Sequence, residues 1–197
     1  MPLIVLDVET TGLGHKSYPP RDDAVVQIGM AWRAAEGAVK TWSQYCHPGE
    51  QYLHGGRAQA ALNINGISAD ILNTAQPAQS VAEQFWNQVF RIEAQGDLVQ
   101  FRAYNKAFDA PFLASDPWNV PDERWGDCIM LDAKDHLQTS RWPKLDAAVR
   151  SMGLEWPTGK AHDAAVDAHA ALLVHEKING IQTPTAGSQL LAGVAEQ

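Results

Sequence analysis

L-I-V-L-D-V-E-T-T-G, residues 3–12, joins an aliphatic, β-branched run to two acids, two threonines and a glycine. Such a run reads as a buried strand, and side chains along a strand alternate between its faces. Asp7 and Glu9 therefore share one face, a few ångströms apart, just before the chain turns at Thr-Thr-Gly. Like charges that close cost stability unless something positive sits between them.

Outward from that strand, A-V-V-Q-I-G-M-A-W-R (24–33) and V-K-T-W-S-Q-Y-C (39–46) read as two more strands joined by the short turn A-A-E-G, a three-stranded antiparallel opening. Residues 48–77 carry no strong period, although 63–72 would allow a turn into a short helix. Val81, Phe85, Val89 and Ile92 recur at helical spacing, with Ser80 and Glu83 as a capping box and Gly96 as a stop. L-V-Q-F-R-A-Y (98–104) is the next strand, and N-K-A-F-D-A-P-F-L-A (105–114) a turn entering a helix. After a Pro- and Trp-rich loop, D-C-I-M-L-D-A (127–133) fits either a short buried strand or a helix, since periodicity does not separate them. Helices over 144–153 and 162–178 follow, the second with a stripe of Val166, Ala170 and Leu173. The order predicts an α/β fold, a mixed sheet with helices on its faces. One domain is expected over residues 1–179, with a loose tail over 180–197.

The net charge of −8 argues against a wide basic surface for nucleic acid, while leaving room for a local contact around bound cations. No apolar run approaches the roughly 20 residues that span a bilayer, and no basic leader precedes one, which predicts a cytoplasmic protein without membrane contact. Cys46 and Cys128 lack the spacing of a zinc or redox pair and read as reduced thiols.

Two further acids stand out. Asp109 lies between Phe108 and Ala-Pro-Phe-Leu, where an unpaired charge is expensive; its bland alternative is a helix cap. Asp167 stands at the edge of the packed face of the last helix, where the bland alternative is a solvated surface. Hard divalent ions, Mg²⁺ or Mn²⁺, take carboxylate oxygens and leave positions to water and phosphate. Four acids from separate elements suit two ions about 3.5–4 Å apart, clamping the attacking and leaving oxygens of a phosphodiester.

D-V-E-T-T-G (7–12), N-K-A-F-D-A-P-F-L (105–113) and H-D-A-A-V-D (162–167) resemble, in order, the three motifs of the DEDDh group, the DnaQ-like 3′-to-5′ exonucleases of the RNase H-like superfamily. Q-I-G (27–29), G-D-C-I-M-L (126–131) and K-L-D-A-A-V-R-S-M-G-L (144–154) extend the resemblance over most of the chain. It implies an RNase H-like sheet of three antiparallel strands followed by parallel ones, flanked by helices. It also implies that Asp7, Glu9 and Asp167 hold one metal ion, that Asp7 and Asp109 hold a second, and that His162 is the general base. Imidazole titrates near neutrality and suits that role. His169 and His175, on the same helix, read as structural, and Asp163 as a first-turn cap. Thr10, Thr11, Gly12, Leu13, Asn105 and Phe108 would meet the terminal nucleotide. Asn65 departs from the family, which often has His there, and this weakens transfer of sugar or base contacts to N-G-I (65–67).

The expected activity is release of nucleoside 5′-monophosphates from single-stranded or frayed 3′ ends, DNA before RNA. The alternatives are an RNA-trimming 3′-to-5′ exoribonuclease and a binding module without catalysis. S-Q-L-L-A-G in the tail suggests a further partner, a polymerase or its sliding clamp.

Overall fold

The computed structural model describes residues 2–14, 20 and 22–181. Five strands form one sheet: β1 (Leu3–Thr10), β2 (Val25–Arg33), β3 (Val39–His47), the two-residue β4 (Gln76–Pro77) and β5 (Gln100–Ala103), in the order β4-β3-β2-β1-β5. β1, β2 and β3 pair antiparallel, whereas β5 lies parallel to β1 and β4 parallel to β3. This is the mixed, helix-flanked sheet that the sequence predicts.

The helices are α1 (Gly56–Asn65), α2 (Ala69–Thr74), α3 (Ala78–Glu93), α4 (Lys106–Leu113), α5 (Ile129–His136), α6 (Leu145–Ser151) and α7 (Ala164–Ile178). The ambiguous stretch at 127–133 resolves as helix α5, its Ile129 and Ala133 buried one turn apart. The aperiodic region 48–77 holds α1 and α2, each with one apolar side buried and too few turns to show a period. α3 starts at Ala78, behind Pro77, so Ser80 lies inside its first turn and the expected capping box does not form. Pro77 replaces it: its fixed φ suits a helix entry.

β1 has neighbours on both sides and covered faces, which explains its nearly unbroken apolar run. Ile4, Leu6 and Val8 point into a core with Met30, Phe85 and Phe101. Val5 points the other way, into a core built with α5, α6 and α7. Asp7 and Glu9 share the parity of Val5 and so face α7. That helix is buried around more of its girth than one stripe: Ala164, Ala168, Ala170, Ala171, Leu172 and Val174 are all covered, while Val166 and Leu173 are half-buried. Alanines at these places let it lie close to the sheet. Residues 182–197, including the sliding-clamp-like S-Q-L-L-A-G, lie outside the described residues. Among the described residues no helix is long and apolar enough to cross a membrane.

Candidate active site

Three elements bring the four acids together, and each does so for a local reason. β5 pairs with β1 only from Leu3 to Leu6, so the Val8 N–H lies beyond the end of that ladder. α4 follows β5 and puts Asp109 there: the Val8 N–H donates to Asp109 Oδ1 at 3.2 Å. Asp109 sits inside the helix and is buried, with Asn105 at the N-cap, which removes the capping alternative.

α7 delivers Asp167. The Gln27 and Gly29 side of β2 faces its first residues, and these two pair with Glu9 and Asp7 on β1. Gln27 Oε1 accepts from the Ala164 N–H at 3.4 Å, and a Cβ on Gly29 would fall 2.2 Å from the Ala164 carbonyl carbon. At the other end, Arg33 pairs with the buried Glu176. Six strand residues span about 20 Å and twelve helical residues about 18 Å, so the two attachments fit one straight helix running along β2. The Q-I-G signature is thus the seat of the helix that carries the fourth acid. Asp163 caps that helix, its Oδ1 accepting from the N–H groups of Ala165 and Val166 at 3.0 and 3.4 Å.

His162 immediately precedes this cap, is exposed and has a left-handed φ of 64°. Its N–H donates to Asp167 Oδ2 at 3.2 Å. Single ligand atoms of Glu9, His162 and Asp167 all lie within 4.8 Å of one another. His175, by contrast, meets Arg102 at 2.8 Å; burial first and then the Arg102 charge hold its pKa down, as burial chiefly does for His169. Both are half-buried on α7.

The electrostatics ask for cations. Burial, then the charges of Asp109, Glu9 and Asp167, hold the Asp7 carboxyl well above the usual carboxylate range. Burial, followed by Asp167 and Asp109, pushes Glu9 up to about 8. Burial likewise pushes Asp109 up to about 8, against the Val8 hydrogen bond, and raises Asp167 against its bond from His162. Asp167 Oδ1 is buried without a hydrogen-bond partner among the described residues. A carboxylate oxygen left bare beside three other acids fits a hard divalent ion, whose charge and coordination would offset each of these costs.

Beside the acids lies a cleft of about 310 Å³, lined by Glu9, Thr10, Gly12, Leu13, Asn65 and Phe108 among others. Leu13 and Ile64 expose their side chains, 62% and 67% accessible. Thr10 Oγ1 donates to the Gly12 carbonyl at 2.6 Å, and Asn65 Nδ2 donates to the Thr10 carbonyl at 3.1 Å. Thr11 is fully buried; its Oγ1 accepts from the Ala24 N–H at 3.0 Å, so it shapes the turn from beneath. Asn105 is exposed at the N-cap of α4 and lines a neighbouring groove, not the cleft that Phe108 lines.

Asp23 is a residue that sequence reasoning passes over. It is buried beside the turn, accepts from the Gly14 N–H at 2.9 Å and pairs with Arg57 at 3.1 Å. A Cβ on Gly12 would lie 2.3 Å from its Oδ1, which is why the first motif ends in glycine. No periodic signal singles out an acid in D-D-A (22–24); only the folded turn gives it partners.

The RNase_T family model, described as exonuclease, matches residues 4–175, and the chain belongs to that family. Among curated proteins, none matches in sequence. Solved structures share the fold. Cell-death related nuclease 4 (CRN-4) superposes with a TM-score of 0.67 at 16% identity, over 91% of this chain and 64% of that one. E. coli exonuclease I, in complex with a 5cy-dT13 oligonucleotide, gives 0.64 at 18% identity, over 92% and 41%. The nuclease domain of 3′hExo, a DEDDh family member bound to rAMP, gives 0.64 at 15% identity, over 92% and 94%. The chain thus spans under two thirds of the first two relatives and nearly all of the third. It is a member of the exonuclease family with the RNase H-like fold.

Proposed function

We propose that this protein is a metal-dependent 3′-to-5′ exonuclease that hydrolyses the terminal phosphodiester of single-stranded or frayed DNA and releases nucleoside 5′-monophosphates. The observation that carries the reading is the convergence of Glu9, Asp167 and His162 within 4.8 Å, beside two more acids and a cleft with room for one terminal nucleotide. Asp7, Glu9, Asp109 and Asp167 would hold two divalent ions, Mg²⁺ or Mn²⁺. Such ions, when bound, neutralise the phosphodiester and lower the pKa of the attacking water.

The chain's own residues do the rest. Thr10, Gly12 and Leu13, with Phe108 opposite, orient the last nucleotide, and Thr11 fixes the turn that presents them. His162, exposed yet tied through its N–H to Asp167, takes the proton of the attacking water on an imidazole nitrogen and returns it to solvent. A left-handed φ at a non-glycine residue is uncommon; here it aims the imidazole back toward the acids.

The test uses one oligonucleotide labelled at either end, with and without Mg²⁺ or Mn²⁺. Labelled mononucleotide as the first product from the 3′-labelled strand, abolished by chelator, is expected. Internal cuts, release from the 5′ end, or binding without release would overturn the proposal. An RNA oligonucleotide in the same panel decides the substrate class; faster RNA trimming would move the class and keep the chemistry.

A further inference from the structure

We propose that the apolar groove on the outer flank of α4 receives the single strand upstream of its 3′ terminus, with Trp142 as a base-stacking platform. This rests on the exonuclease reading above. The first turns of α4 separate two depressions. Phe108 faces the terminal cleft and Asp109 turns inward to Val8, whereas Asn105, Ala107 and Pro111 line a second groove of about 740 Å³. On the proposed reading the terminal cleft takes the last nucleotide, and the second groove lies across this helix from it, where the strand behind would run.

The opposite wall of the groove is Met130 and Leu131 of α5 and Trp142 of the following loop. Trp142 is 67% accessible and Leu131 45%, an indole and an isobutyl group that the fold itself does not bury. The loop is nonetheless fixed. Tyr104 Oη donates to the Pro143 carbonyl at 2.8 Å, and Tyr104 directly precedes Asn105, so Trp142 is held in register with α4.

Charge selects a nucleic acid over a protein segment. Arg141 and Lys144 stand one residue before and two residues after Trp142 in the sequence and are exposed, and no acid occurs from Leu137 to Leu145. The groove itself carries Lys106, Asp122 and Asp127, the last paired with Arg102 at 3.2 Å, and Asp146 pairs with Arg150 at 3.0 Å. An exposed indole with two exposed cations beside it in sequence, on a chain of net charge −8, suits a stacked base and its neighbouring phosphates.

The test combines binding and turnover. Anisotropy of a 5′-fluorescein oligothymidylate about twelve nucleotides long, with Ca²⁺ to suppress cleavage, should show about tenfold weaker binding for Trp142→Ala and near-normal binding for Trp142→Phe. In Mg²⁺ the loss should appear in KM and grow with length, so that the preference for the long strand over the dinucleotide shrinks by about tenfold. Arg141→Ser with Lys144→Ser should lower the slope of log Kd against log salt by about 1.4, two single-strand phosphates. Affinity of Trp142→Ala within about twofold of the parent, or no recovery with Phe, overturns the proposal and leaves the groove to a protein partner. Trp142-dependent binding without release of mononucleotide under any divalent ion keeps the groove and removes the exonuclease reading; release of mononucleotide with no Trp142 effect does the reverse.

Discussion

His162 and Asp7 sit in one site and are expected to fail differently when replaced. On the proposed reading His162 is the base, so His162→Ala should cut turnover by about 10²–10⁴-fold while the Mg²⁺-induced rise in melting temperature persists. Loss of that rise would make it a ligand, a role its closeness to Glu9 and Asp167 also allows. Asp7 carries a carboxyl held high by burial and by its neighbours. Asp7→Asn should abolish activity yet raise the melting temperature in chelator, because the cost of a buried ionisable carboxyl among other acids is gone at nearly constant shape. A lower melting temperature in chelator would mean that the Asp7 carboxylate is paired in a way the metal-free site does not reveal.

At the scale of elements, the contact between β2 and α7 decides whether the fourth acid arrives. Gly29 leaves no room for a side chain against Ala164. Gly29→Ala should push the helix from the sheet, costing about 1–3 kcal/mol as overpacking of a core does. Urea unfolding would read that loss. Activity should fall further than stability accounts for, since Asp167 and His162 move with the helix; full activity at the reduced stability would separate the helix seat from the site.

For the whole molecule, the acids link metal, pH and stability. Glu9 and Asp109 titrate at about 8 in the folded chain and near 4 when unfolded. Between those values the folded chain binds more protons, so their contribution is full below about pH 4 and is lost as pH rises through about 8. His169 and His175, whose folded values are lowered, act in the opposite sense as pH falls. The difference between melting temperatures with and without Mg²⁺ largely cancels the histidines. It should grow from about pH 5 to about pH 8, as protons cease to compete for the carboxylates. A difference that is flat or shrinks would remove Glu9 and Asp109 from the metal site.

Strand parity placed Asp7 and Glu9 on one face, and a strongly periodic run marked α3, because both signals are local and repeat within a few residues. The three motifs were legible for the same reason: each is a short run on one element. Asp23, the groove beside Trp142 and the helical identity of residues 129–136 were not. Asp23 has meaning only through Gly12, Gly14 and Arg57, which meet it across the folded turn. The convergence of four acids was likewise undetermined by spacing, since Asp109 follows Asp7 by 102 positions; what joins them is the point where β5 stops pairing and leaves the Val8 N–H to a carboxylate. Local sequence fixed which residues could bind a cation, through parity and side-chain chemistry. Tertiary structure alone decided that they meet, because burial and close approach of like charges exist only once the sheet and α7 have packed.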